Sequence, residues 1–511
     1  MIFSSGMASL LVIRSLLMVT LCGSAVFALL RRRRGGGGVS YPDNVSMVVH
    51  KDIISQLPDD ILVSIIARTP TRFAVSTSIL SKRWRNLYKS VSSFTLRCHD
   101  LLSPYTRLHD SEGLIIHRVE RFLSLCSGFK IRYFDLQLCL AESYTNQFEQ
   151  CIYSLGKSGV EELTLYFSCC RRPSYTSFSF HLLSKLPSLK HLSLSKCSLQ
   201  PQPHLNRKCY SLQTLHLTCV TLEPGSLECI LSNCLLLHSV TIHLCQCPPK
   251  LCIRSPNLKL NTLIITLCIG IREIEFYSSS LITFEFGCQE MARFVFDYVP
   301  QLETVCLSND MNWNNIMSYV VGKLSEDLPH LKSLTFETIG DFDKESTGLM
   351  SLGMITFSNL RHLDMSVCCT PRTNLLAFTP FLETCPLLEE LHFDARNMED
   401  HAVAVRGKPV VLHHPKLRTV EITGFRGTDY EIEFALYILK SAVALEQMFI
   451  IRCVRCYSGF GSWRNMYGVP WTEETRNKIQ QRLQGQALSK TAKLMMLHES
   501  IFLGSIHHSL T

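Results

Sequence analysis

The sequence predicts an α/β fold: a short bundle of three helices, then a long curved array in which each unit adds one strand to a parallel sheet. Three observations carry this prediction. The chain has 511 residues, more than one compact core supports, so burial is shared among domains or along a repeat. Apolar residues make up 46% of it and charged residues 18%, which excludes a disordered chain. Finally, apolar residues at i, i+3 and i+5 recur thirteen times, starting at Ile131, Val160, Leu189, Leu212, Leu237, Leu260, Leu281, Leu302, Leu331, Leu360, Leu388, Leu417 and Leu445.

Successive starts lie 21 to 29 residues apart. That interval is the leucine-rich-repeat period, each unit supplying a strand and a helical or irregular return. Several returns carry apolar residues at helical spacing, which predicts helices outside the sheet. They are Val119, Phe122, Leu123 and Cys126; Phe148, Cys151, Ile152 and Leu155; Leu227, Ile230, Leu231 and Cys234; Phe378, Phe381, Leu382 and Cys385; and Ile432, Ala435, Leu436 and Leu439. The expected product is a solenoid with a parallel concave sheet and a helical or irregular convex side.

Ahead of it, Asp52 to Tyr88 reads as three short helices. Pro58 suits a first helical turn, and Asp59 and Asp60 favour its positive end. Leu57, Ile61, Leu62 and Ile65 make one apolar face. Pro70 ends that helix, a second carries Ala74 and Val75, and Ser81 caps a third holding Trp84 and Leu87. Three helices in under forty residues bury little, so a partner is expected to cover what remains apolar.

The run Ile54-Ser55-x-Leu57-Pro58-Asp59-x-Ile61-Leu62, followed by Ala74-Val75-x-Thr77-Ser78-x-Leu80-Ser81-Lys82-Arg83-Trp84-Arg85, resembles the F-box of plant F-box/leucine-rich-repeat proteins. The resemblance implies docking on a Skp-family adaptor and, through it, a cullin, as the substrate receptor of a ubiquitin ligase. It implies Leu57, Pro58, Ile61, Leu62, Ile65, Val75, Leu80 and Trp84 as docking or supporting residues. Thr69 departs from the usual Leu of these plant sequences, and Tyr88 from a frequent Trp. The segment His414 to Gly427, continuing through Glu431 to Ile451, resembles the FBD-type C-terminal region of the same family. The resulting division is 1–46 N-terminal segment, 47–90 F-box, 91–410 solenoid, 411–484 FBD-like terminal repeats and 485–511 tail.

Ser15 to Leu30 is an uncharged, largely apolar run of 16 residues, about 24 Å as a helix against a bilayer core of roughly 30 Å. Starting at Met7 lengthens it to 24 residues but encloses Arg14, at about 3 kcal/mol at the membrane centre. Three readings fit. The first is a signal anchor, membrane-inserted through residues 7–30, with Arg31 to Arg34 holding the folded domains in the cytosol. The second is a cleaved targeting peptide, and the third an extension seldom translated, upstream of Met47. Gly35 to Gly38 is a linker under all three.

The positions i+2, i+4 and i+6 of each template should face the concave side. These 39 positions hold no Lys or Arg, although 51 of 511 residues are basic and about four would fall there by chance. Basic residues such as Lys190, Lys332, Arg361 and Arg418 sit at i+1. The concave positions carry the carboxylates Asp135, Glu162, Glu285, Glu337, Asp364, Glu390, Asp394 and Glu421, and the imidazoles His191, His216, His243, His362 and His392. Such a trough repels phosphate and suits a protein substrate with exposed Lys, Arg or amide groups. Every one of these residues except Asp135 is a candidate substrate contact.

The net charge of +8 is too mild to mark a nucleic-acid binder. No phosphate-binding loop, dinucleotide fingerprint, zinc-protease helix or nucleophile elbow occurs, so no catalytic residue and no cofactor is predicted. His243, Cys245, Cys247 and Cys252 are the nearest approach to a metal set, but they match no standard spacing, and no metal is predicted. Cys453 and Cys456 read as core thiols. Twenty-three scattered cysteines favour reduced thiols in the cytosol or nucleus over a secreted receptor-type ectodomain. A membrane-anchored leucine-rich-repeat scaffold without ligase docking is the rival reading.

Overall fold

A template that is apolar at i+3 and i+5 and polar between them alternates sides when extended, so it folds as a half-buried strand. The computed structural model describes residues 56–69, 71, 74, 77, 81–101, 111–138, 144–167, 176–201, 211–254, 259–308, 314–339, 356–369, 375–397, 413–459, 462–466 and 468–499. Among them all thirteen templates are strands of one parallel sheet, from Tyr133–Gln137 to Gln447–Ile451. Two further strands extend it, Ser93–Leu96 beside Tyr133–Gln137 and Lys493–Leu497 beside Gln447–Ile451. The expected tail thus contributes a strand. The register keeps the i+3 residues in step, so that Phe134, Leu163, Leu192, Leu215, Val240 and Leu263 lie side by side in one buried row.

The returns divide by length. Where starts are 25 to 29 residues apart, several of the described returns are helical, including Thr145–Lys157, which buries Phe148, Cys151, Ile152 and Leu155. The helix Asp429–Ser441 buries Phe434 and Ile438 beyond its predicted face, while Leu436 stays half-buried. Between Leu237 and Leu302 the spacing falls to 21–23 residues, too few for a strand, two turns and a helix. There the returns are themselves strands, Lys250–Arg254, Glu273–Tyr277 and Arg293–Tyr298, in a second parallel sheet. Phenylalanines fill the space between the two layers edge to face. The Phe276–Phe284 centroids lie 4.8 Å apart, the Phe284–Phe294 centroids 5.3 Å and the Phe286–Phe294 centroids 5.2 Å.

The turn leaving the sheet is equally regular. Lys196, Cys219, Leu244 and Leu267, all at i+7, adopt φ of 59°, 53°, 53° and 54°. Cys245 and Cys268 follow two of them at i+8. The Cys245 sulfur accepts the Val220 N–H at 3.3 Å, and Cys268 donates to the Ile242 carbonyl at 3.4 Å. These thiols therefore tie each turn to the repeat before it. Burial raises the Cys151 and Cys197 thiols to about 12, which keeps them protonated and unreactive.

The chain divides into two compact units after Pro58, and only Gln56, Leu57 and Pro58 of the first are described. Ser15–Leu30, Arg31–Arg34, Val75 and Leu80 lie outside the described residues. No helix among the described residues is long and apolar enough to cross a membrane.

Candidate functional site

The first helix of the N-terminal module spans Asp59–Ala67, with Asp59 and Asp60 in its first turn. Residues Thr71, Ala74 and Thr77 are helical, and the third helix is Lys82–Lys89. Ser81 accepts the Trp84 N–H at 3.3 Å, the predicted cap. Arg83 binds Asp59 at 2.6 Å and links the first helix to the third. Thr71 accepts the Thr95 N–H at 2.9 Å, which ties the second helix to the first sheet strand. At the departure point Thr69, the hydroxyl donates to the Ile66 carbonyl at 2.8 Å and closes the helix end.

The module's apolar residues divide cleanly. Leu62, Ile66 and Trp84 are buried and hold the helices together. Ile61 remains 45% exposed, Pro58 is exposed, and Leu57 and Ile65 are half-buried. An aliphatic residue left open beside a sealed core is what a docking surface requires.

The concave sheet departs from the open trough expected of it. Over its first strands, burial alternates, and Glu162 and His216 are exposed while His191 and His243 are half-buried. From Thr283–Gly287 onward several inward residues are also covered: Glu285, Glu337, Asp394 and Glu421 are all buried. As open contacts on the trough these four are corrected, because their carboxylates are covered in this arrangement.

Part of the cover is the antiparallel hairpin Arg455–Tyr457 and Trp463–Asn465. Arg455 is fully buried, with Nη2 3.0 Å from Asp364 Oδ1 and Nε 3.6 Å from Glu421 Oε1. Its guanidinium stacks 4.6 Å from the Trp463 ring. Its backbone N–H donates to Asp394 at 3.0 Å. Asp394 also accepts from Ser366 at 3.0 Å, from Thr423, and from Arg396 Nε at 2.9 Å. Arg396 reaches on to Glu337 at 2.7 Å. Burial alone would raise the Asp364 carboxyl, but Arg455 and then His392, 3.6 Å away, hold it below the ordinary value.

Electrostatics differ over the open strands. Burial, with His191 adding to it, lowers the His216 pKa, and burial lowers that of His243, whose Nδ1 lies 2.9 Å from Thr266 Oγ1. Both shifts favour the neutral imidazole. Burial raises the Asp135 carboxyl against the pull of Arg97. On the rim, the contact of His362 with Glu390 at 3.2 Å raises the imidazole and lowers the carboxylate. The basic residues at i+1 form a ladder of their own, Lys190–Glu161 at 3.2 Å, Lys332–Glu303 at 2.6 Å and Arg361–Glu389 at 2.9 Å. Among the described residues no group of three His, Cys, Asp or Glu side chains converges as for a metal ion.

The domain family described as "At1g61320/AtMIF1, LRR domain" matches residues 122–462, well over half of the chain, and the F-box domain matches residues 54–96. The chain belongs to the plant F-box/leucine-rich-repeat proteins. It is 25% identical over 427 residues to the putative F-box/FBD/LRR-repeat protein At5g44960 of Arabidopsis thaliana, covering 76% of this chain and 91% of that one. The F-box/FBD/LRR-repeat protein At5g56420 of the same plant is 26% identical over 436 residues, 79% of this chain and 92% of the relative. The F-box protein At5g03100, also from Arabidopsis thaliana, is 30% identical over 224 residues, 44% and 62%.

Two arginines that meet the concave carboxylates of this F-box/leucine-rich-repeat chain escaped the sequence reading. Arg396 stands at i+8, beyond the three positions surveyed, but its strand Glu390–Asn397 runs long enough to carry the same alternation on to it. Arg455 lies beyond the last template and reaches the concave face through a hairpin that no periodicity announces.

Proposed function

We propose that this chain is the substrate-recognition subunit of a Skp/cullin/F-box ubiquitin ligase, acting without catalysis in the cytoplasm or nucleus. The helix Asp59–Ala67 and the adjoining Leu57 and Pro58 dock the Skp-family adaptor, with Leu62 and Trp84 as internal support and Val75 and Leu80 in the same set. The solenoid holds a protein substrate over its open strands, through Glu162, His191, His216 and His243, with His362, Glu390 and His392 nearer the covered end. Ubiquitin transfer is then accelerated by proximity, since the substrate is kept near the charged conjugating enzyme. The observation that carries this reading is Ile61, 45% exposed on a helix whose Leu62 and Ile66 are sealed.

The test is binding of the purified full chain to a purified Skp-family adaptor. Ile61→Asp is expected to weaken it by about 2 kcal/mol or more, roughly thirtyfold, with an unchanged thermal midpoint because the position faces solvent. Absence of binding by the unaltered chain would remove the proposal.

A further inference from the structure

We propose that the carboxylate cradle of Asp364, Asp394 and Glu421 is a receptor for an arginine-bearing peptide segment, that the chain's own hairpin fills it as an internal pseudo-ligand, and that a client's arginine displaces it. This deepens the reading of the concave face as the client surface and rests on it.

The cradle is built for a guanidinium. Asp364 and Glu421 face the Arg455 guanidinium, Asp394 on the strand between them accepts the Arg455 backbone N–H, and Trp463 of the same hairpin stacks on the guanidinium plane at 4.6 Å. A lysine ammonium reproduces neither the planar fork nor the stacking. Yet the internal occupant fits imperfectly. Nη2 makes one hydrogen bond, to Asp364 at 3.0 Å. Nε stands 3.6 Å from Glu421, outside hydrogen-bond range, and Nη1 has no partner among the described residues. A buried guanidinium with unused donors is a weaker occupant than its site permits.

The segment carrying it is also the kind that moves. Its two strands are three residues each, a size marginal in isolation. Met466 and Val469 beside it are 51% and 76% exposed, so its apolar hold comes down to one buried side chain of the strands, Trp463. The strand pairing does not run through it, because Gln447–Ile451 pairs with Lys493–Leu497 and Thr419–Thr423 directly. Since departure strips the cradle's carboxylates of their guanidinium, the open form is a minor state, and an incoming arginine stabilises it.

The probe is a labelled synthetic peptide of residues 452–466 carrying Cys453→Ser and Cys456→Ser, titrated into the full chain and followed by fluorescence anisotropy. If the hairpin is closed in about 90–99% of molecules, Arg455→Ala should bind it about 10- to 100-fold tighter than the unaltered chain. Replacing the peptide's own Arg455 by Lys should remove that gain. Hydrogen exchange on the unaltered chain guards against unfolding of the variant: saturating peptide should speed exchange across residues 453–466 and leave 447–451 unchanged. A folded Arg455→Ala chain that binds no tighter, a lysine peptide that binds equally well, or exchange unmoved by peptide would each overturn the proposal. No adaptor is present in this assay, so its failure leaves the F-box reading standing, and loss of adaptor binding leaves this one standing.

Discussion

Asp394→Ala is expected to lower the free energy of unfolding by about 3–5 kcal/mol, measured from urea transitions. The carboxylate is fully buried and accepts from Ser366, Thr423, Arg396 and the Arg455 backbone. Its removal leaves two guanidinium groups inside the fold with part of their countercharge gone. Asp394→Asn keeps acceptor capacity and should cost less. The pH dependence has a definite sign. Asp364 is held below its ordinary value by Arg455 and His392 despite burial. Its contribution is therefore full above the unfolded carboxylate value, about 4, and is lost as pH falls through the lower folded one. Urea midpoints between about pH 6 and pH 2 should fall, and more weakly in Arg455→Met, where the guanidinium is gone. A midpoint flat across that window would contradict the ion-pair account.

Glu431→Ala should cost about 2–4 kcal/mol, because three backbone N–H groups lose one acceptor together. Glu431 Oε2 accepts from Arg426 at 3.0 Å, Gly427 at 2.8 Å and Thr428 at 2.9 Å, closing a capping box with Thr428 at the start of Asp429–Ser441. Burial pushes this carboxyl up, and the three donors oppose the shift. Glu431→Gln preserves an acceptor and should recover most of the loss in the same urea measurement; equal loss in both variants would show that the charge, not the acceptor, matters. The turn before it has a separate requirement. At Gly424, φ is +74° and an added Cβ would stand 2.2 Å from the Ala395 carbonyl, so the Gly-Phe-Arg-Gly spacing follows from backbone crowding as well as from the carboxylate.

The sheet was legible because a strand's alternation is written in consecutive residues. All thirteen templates became strands, whereas the two outer strands were missed for local reasons. Val91, Phe94 and Leu96 satisfy the template but lie 40 residues before Ile131, outside the period. The last strand has Thr491 where the first apolar residue should stand. The F-box was legible through residue identity, but the sequence put Ile61 and Leu62 on one apolar face, and only the packing of the third helix divides them into open and sealed. What could not be read was coverage. Glu337, Asp394 and Glu421 follow the same alternation as Glu162, but a strand pattern says which way a side chain points and nothing about what folds over it.

Repeat arrays ordinarily lose structure from their ends, one unit at a time, because each unit touches only its neighbours. Here the Arg455–Asp364 contact joins residues 91 apart in sequence, the Arg455–Asp394 contact 61 and the Arg396–Glu337 contact 59. These bonds clasp the C-terminal repeats across several periods at once. Fraying from that end is thereby suppressed, and the terminal third of the array should melt as one cooperative block while the N-terminal repeats retain the graded behaviour of a simple stack.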